Sequence, residues 1–510
     1  MKRRDFLGVG VGSAIAATTV GSWPMLAAFG ADEATAGDGL VSPRDVRLRI
    51  KPVMTNIVHT GVWEGPCRWK SVSVEDEAKY AASSFSNWSQ QLKDKGLGRP
   101  GDVELLEPAQ LTFDERFVIS DAQWAKLAAD SDRTDAYFVY PAGSSVSAYE
   151  IAERFKKPIL LKGLGCRNVD IAAYTKARGR EVFVSADENE FQRTVTLLRT
   201  RKAFRETRVL FPTERGLPAA CSVGSIWDLP DLEKRLGVAV TIIPYRELAE
   251  HMGRAVSDAA LTKRAEQAAD QLLGQADKSY VDRSYVVRSL QFYRTIRQLM
   301  QQHACNAFTI ECFEFCSSQL PEQWKITPCL IHSLQRNLGH ASSCEGDLGS
   351  LLAMRLLMSV SDKSCHQGNS DPREAGTFRI NHSVPSMKMN GFDQPDVPFQ
   401  LGRFVASGWG TKVVVDFLDN QEKTVTVARV DPTARKLLVM RGRLVGSSGW
   451  NQDLIGCSVE AVIAPPEGRC DEFLKKRLEY GNHLQWVYGD CAAEMRDVGE
   501  MLGLAVEVIA

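Results

Sequence analysis

Short apolar or β-branched runs alternate with longer amphipathic stretches from about Val41 to His251. The runs are Asp135–Tyr140, Pro158–Lys162, Glu181–Ser185, Arg208–Phe211 and Val238–Ile243. Between them, Ala148–Phe155, Asp187–Thr200 and Asp231–Leu236 have the spacing of helices. That order predicts parallel strands joined by crossover helices, an α/β class. Two helices with a short turn are expected over Ser257–His303, because Gly274 and Asp277-Lys278-Ser279 interrupt an otherwise periodic stretch. Asn306–Phe315 reads as a strand entering a cysteine-rich loop. Leu348–Val360 is apolar on nearly every side, which predicts a helix buried all round. From Phe404 to Ala464 the character changes. Lys412–Phe417, Thr424–Val430, Leu437–Met440 and Val459–Ile463 are evenly spaced and separated by turn residues, the pattern of a small antiparallel β-barrel.

Residues 1–36 read as an address. Arg3-Arg4 precedes Phe6-Leu7, and an apolar stretch runs from Gly8 to about Val20 before Gly21, Ser22 and Pro24 break it. This is similar to a twin-arginine export signal and too short for a membrane span. Cleavage is expected after Ala28-Phe29-Gly30 or Ala34-Thr35-Ala36, giving a periplasmic or otherwise exported product with no membrane span in the mature chain. The remaining composition is that of a globular protein. Sixty-two basic against sixty-three acidic residues give a net charge of -1, which leaves no broad footprint for nucleic acid or an anionic membrane. Small molecules or other proteins are the expected partners. Twelve cysteines, concentrated between Cys305 and Cys365, leave disulfides, buried thiols and a zinc site open, Cys312 and Cys316 forming one C-x3-C pair. Lys162-Gly163-Leu164-Gly165 lacks the rest of a dinucleotide fingerprint, so no nicotinamide or ATP site is expected.

The sharpest chemistry is Cys344-Glu345-Gly346-Asp347, immediately before the buried helix. Two carboxylates at a helix start commonly serve as caps. Their neighbourhood adds to this. Asn306-Ala307-Phe308-Thr309, Leu320-Pro321, Cys329–Leu338 with Gly339, Glu345-Gly346-Asp347, and the terminal Gly481-Asn482-His483 and Gly489-Asp490 follow one another in an order that resembles the L-fucose isomerase and L-arabinose isomerase superfamily. The resemblance covers roughly Phe308 to Ala510. It implies two parallel-sheet α/β domains, at 41–175 and 176–360, followed by a C-terminal domain containing the barrel at 361–510. It further implies an aldose-ketose isomerase acting on a free monosaccharide through an enediol, with a divalent metal, usually manganese, and a homo-oligomeric assembly.

Carried over by position, Glu345, His382 and His483 match metal ligands, and Glu345 doubles as the proton-transfer base. Asn482 stands where the family has the first histidine of a pair. The second family carboxylate falls on Asn369, an amide that cannot exchange a proton, with His366, Asp371 and Asp347 as neighbouring substitutes. The rival reading is therefore a catalytically silent carbohydrate-binding or structural relative. Trp63, Arg68 and Trp69, and His59 near Gly61, are further candidates for a sugar site, against ordinary core roles.

Overall fold

The computed structural model describes residues 42–61, 73–99, 101–374 and 376–510. The export signal and Trp63, Arg68 and Trp69 lie outside the described residues. Strands are numbered along the chain. β1 (Leu48–Ile57), β2 (Val103–Leu105), β3 (Ala109–Phe113), β4 (Ala136–Pro141), β5 (Ile159–Lys162) and β6 (Val182–Ser185) form a parallel sheet ordered β2-β1-β4-β5-β6, with β3 also on β1. Its strands bury side chains on both faces, as sheets covered on both sides require. One face packs Val53, Tyr137, Val139 and Leu161 against the Val146–Phe155 and Cys166–Ala177 helices. The other packs Ile50, Phe138 and Leu160 against Val74–Lys95 and Glu188–Arg205. Strand β6 completes this sheet beyond residue 175.

A second parallel sheet follows, from β7 (Arg208–Pro212), β8 (Ala239–Ile243), β10 (Ala307–Ile310) and β11 (Ser342–Cys344), in the order β11-β10-β7-β8. The two expected helices lie at Ala259–Gln275 and Arg283–Gln302, separated by the two-residue strand β9 (Lys278–Ser279). The segment after β10 is not a loop. Glu311 accepts the backbone N–H groups of Phe313 and Glu314 and starts a short helix, Cys312–Ser317.

The C-terminal region holds β12 (His366–Arg373), β13 (Thr377–His382), β14 (Phe399–Arg403), β15 (Thr411–Val415), β16 (Thr424–Val430), β17 (Lys436–Ser448), β18 (Val459–Ala464), β19 (His483–Tyr488) and β20 (Ala505–Ile509). Pairing runs antiparallel through β12-β13-β18-β17-β16-β19 and back to β12, closing a six-stranded barrel, while β20 adds to β17. The expected barrel strand at Lys412–Phe417 belongs elsewhere. As β15 it pairs with β14, which pairs in turn with β9. The barrel instead recruits β12, β13 and β19.

The Leu348–Ser361 helix is buried from Leu348 to Met358. It packs on the outer residues of the barrel, Ala428, Val430 and Val487, while Val425, Val427, Leu484 and Trp486 fill a second core. Its N-terminus therefore lies where β11 ends and β19 begins.

Candidate metal centre

The turn from β11 into the buried helix runs through two consecutive left-handed residues, Glu345 at φ 63° and Gly346 at φ 65°. A non-glycine residue held in that region stores strain, a feature that concentrates at functional sites. Gly346 is required there, because a Cβ would lie 3.0 Å from Phe211 Cζ and 3.2 Å from Ala219 Cβ. The turn divides the two carboxylates between two tasks. Asp347 caps the helix, accepting from Ser350 N at 2.9 Å. Glu345 is left to face the barrel.

Two imidazoles meet it there. His382, the last residue of β13, places Nε2 3.4 Å from Glu345 Oε1, and His483, the first residue of β19, places Nε2 3.4 Å from Glu345 Oε2. The two rings are 5.5 Å apart, centroid to centroid. One ligand atom from each of the three residues lies within 4.8 Å of the others, and all three residues are buried. Among the described residues neither Nε2 atom has a hydrogen-bond partner, each facing Glu345 only as an ion-pair contact. Buried polar atoms are ordinarily satisfied, so two orphaned imidazole nitrogens converging on a carboxylate form a donor set that fits a divalent transition ion.

The surroundings hold these donors in place. His483 Nδ1 lies 3.0 Å from Asp347 Oδ2, the carboxylate–histidine arrangement that orients a metal-binding ring. Arg429 Nη1 donates to both Asp347 oxygens at 2.7 Å. His382 Nδ1 contacts Cys457 Sγ at 3.7 Å. Burial raises the Glu345 carboxyl, but His382 and His483 more than reverse this and hold it at about 2. Burial likewise raises Asp347, which Arg429 and His483 return to about 2. The group is closed on one side by Ser222, whose hydroxyl donates to Glu345 Oε2 at 3.2 Å. Next to it, burial and the Glu345 charge push the exposed Cys221 thiol up to about 12.

The other sequence candidates fall into different places. Asn369 lies directly opposite His483 in the β12–β19 register, and its amide oxygen accepts from Asn482 Nδ2 at 2.5 Å. His366 does not join the centre. It sits inside the barrel against Phe417 and Trp486, and burial keeps it well below the usual imidazole range. Asp371 is paired with Arg379 at 2.9 Å. His59 lies in the first α/β unit, with Nδ1 2.8 Å from Glu77 Oε1. The eleven described cysteines are free thiols.

Near the centre, Glu311 escaped the sequence reading, while Cys312 entered it only in the C-x3-C pair and Cys344 only as the residue before Glu345. Glu311, directly after β10, is 1% exposed. Burial raises its carboxyl, and the nearby Glu345 charge adds to the rise. Cys312 and Cys344 group with Glu345 within 4.8 Å. An available signal was position, since ligand sites in open α/β sheets gather at the carboxyl ends of strands, where β10 and β11 deliver all three.

The described helices include none long and apolar enough to cross a membrane. No protein-family model and no curated protein matches the chain.

Proposed function

We propose that the protein is an exported aldose-ketose isomerase of a free monosaccharide, with a divalent metal, manganese by family resemblance, held by Glu345, His382 and His483. The observation that carries this reading is the convergence of two orphaned imidazole nitrogens on one buried carboxylate. A divalent cation at such a site supplies the electrostatic stabilisation that makes a proton next to a sugar carbonyl acidic.

The proton itself needs a carrier, and the two glutamates are unequally suited to the task. Glu345 faces both imidazoles and serves as a ligand. Glu311 has its carboxyl raised by burial and by the nearby Glu345 charge, against the lowering backbone N–H bonds from Glu314 and Phe313, and a raised carboxyl is the direction a proton carrier needs. We therefore assign proton transfer through the enediol to Glu311 and leave Asn369 to hold Asn482 beside His483. Asn369 then does not imply a silent protein.

The test is exchange of sugar protons with solvent deuterium, followed by NMR over a panel of aldoses with manganese supplied. The native chain should exchange, Asn369→Asp should change little, and Glu311→Gln should slow the reaction by ~10²- to 10⁴-fold. Absence of exchange for every aldose in the native protein contradicts the isomerase and favours a carbohydrate-binding relative.

A further inference from the structure

Beside Glu345 lie two thiols that the proposed reaction does not employ. Ile310 of β10 pairs with Cys344 of β11 in the parallel register. Two residues beyond Ile310, Cys312 opens its short helix. The adjacent carboxyl ends of these strands bring Cys312 Sγ, Cys344 Sγ and a Glu345 oxygen within 4.8 Å of one another. Cys344 is 3% exposed, whereas Cys312 is half-buried, so the group has one deep wall and one accessible side.

The two groups differ in chemistry. Two imidazoles and a carboxylate suit manganese and its neighbours, while two thiolates select borderline or soft ions such as zinc. Glu345 lies within ligand reach of both the imidazoles and the thiols, so it is the residue the two groups have in common. A shared carboxylate is a common way of holding two cations close together in two-metal sites.

We propose that Cys312, Cys344 and Glu345 form a second, thiophilic cation site that shares Glu345 with the imidazole site. Loading it displaces the two thiol protons to solvent and forms two metal–sulfur bonds, with no change of oxidation state. No sugar and no turnover enter this inference, so it stands or fails separately from the isomerase reading.

Cadmium is the probe, because thiolate coordination gives it an ultraviolet charge-transfer band that imidazole coordination does not. The full chain is reduced, stripped with a chelator and titrated with Cd²⁺ alone. The expected result is a thiolate band that saturates with the first ions bound and is lost in Cys312→Ser and in Cys344→Ser. The band should persist in His382→Ala with His483→Ala, which removes the imidazole site. Cys312→Ala is the safer variant for folding, since that side chain is half-buried, and circular dichroism checks each protein. A band that survives both single serine variants, or is missing from the native chain, overturns the proposal.

Discussion

Arg429 holds both carboxylate oxygens of Asp347 at 2.7 Å through a single nitrogen, in a pair where neither side chain is more than 3% exposed. The guanidinium also donates to Tyr480 O and Gly224 O, so it ties the barrel to the loop over the centre. Removing one partner of such a pair leaves an uncompensated buried charge. Arg429→Met should cost ~3 to 5 kcal/mol in urea denaturation. Adding Asp347→Asn should recover much of the loss. A single variant as stable as the native chain contradicts this role.

Gly368 of β12 lies where no side chain fits. A Cβ would stand 2.8 Å from the backbone C and N of Asn381 and from Ile380 Cγ2. Backbone atoms of a barrel strand cannot step aside as a flexible side chain can. Gly368→Ala should therefore destabilise the chain by ~1 to 3 kcal/mol. It should also weaken metal uptake, because β12 lies between the strands that carry His382 and His483. Denaturation and metal titration of the variant check both effects, and an unchanged midpoint contradicts the packing.

The legibility of these elements varied with what their side chains face. Strands β4, β7 and β10 are buried on both faces, so they stand out as continuous apolar runs. Strand β12 reads His-Gln-Gly-Asn-Ser and looks like a loop, because its polar groups find partners inside the protein. Gln367 Oε1, for example, accepts from Cys344 N at 3.0 Å. In β19, Gln485 donates to Ser350 of the buried helix. The candidate metal ligands lie far apart in sequence, and no local pattern joins Glu345, His382 and His483; only resemblance placed them in one group. Glu311 was passed over because an acidic residue before a short helix looks like a cap, and it does cap one.

Acid sensitivity should reach the first sheet as well. Lys51 of β1, itself buried, lies 2.5 Å from Asp130 and holds that carboxyl below its ordinary 3.8 through its hydrogen bond and charge. A carboxylate with a lowered folded value contributes stability above its unfolded value, and that contribution is lost as pH falls through the folded one. The native chain should lose stability below pH ~4 partly on this account, and Lys51→Met should make the loss shallower. Urea midpoints measured from pH 7 to pH 3 check the slope, and identical slopes in the two proteins contradict the assignment.

The most direct measurement is anomalous X-ray scattering from crystals of the protein soaked in Mn²⁺. The account predicts a peak at the manganese edge between Glu345, His382 and His483, with the carboxylate oxygen and both Nε2 atoms ~2.0 to 2.3 Å from it. His483→Ala should abolish the peak. A map with no peak among these three side chains, or with manganese bound only elsewhere, contradicts the metal centre and the isomerase proposed on it.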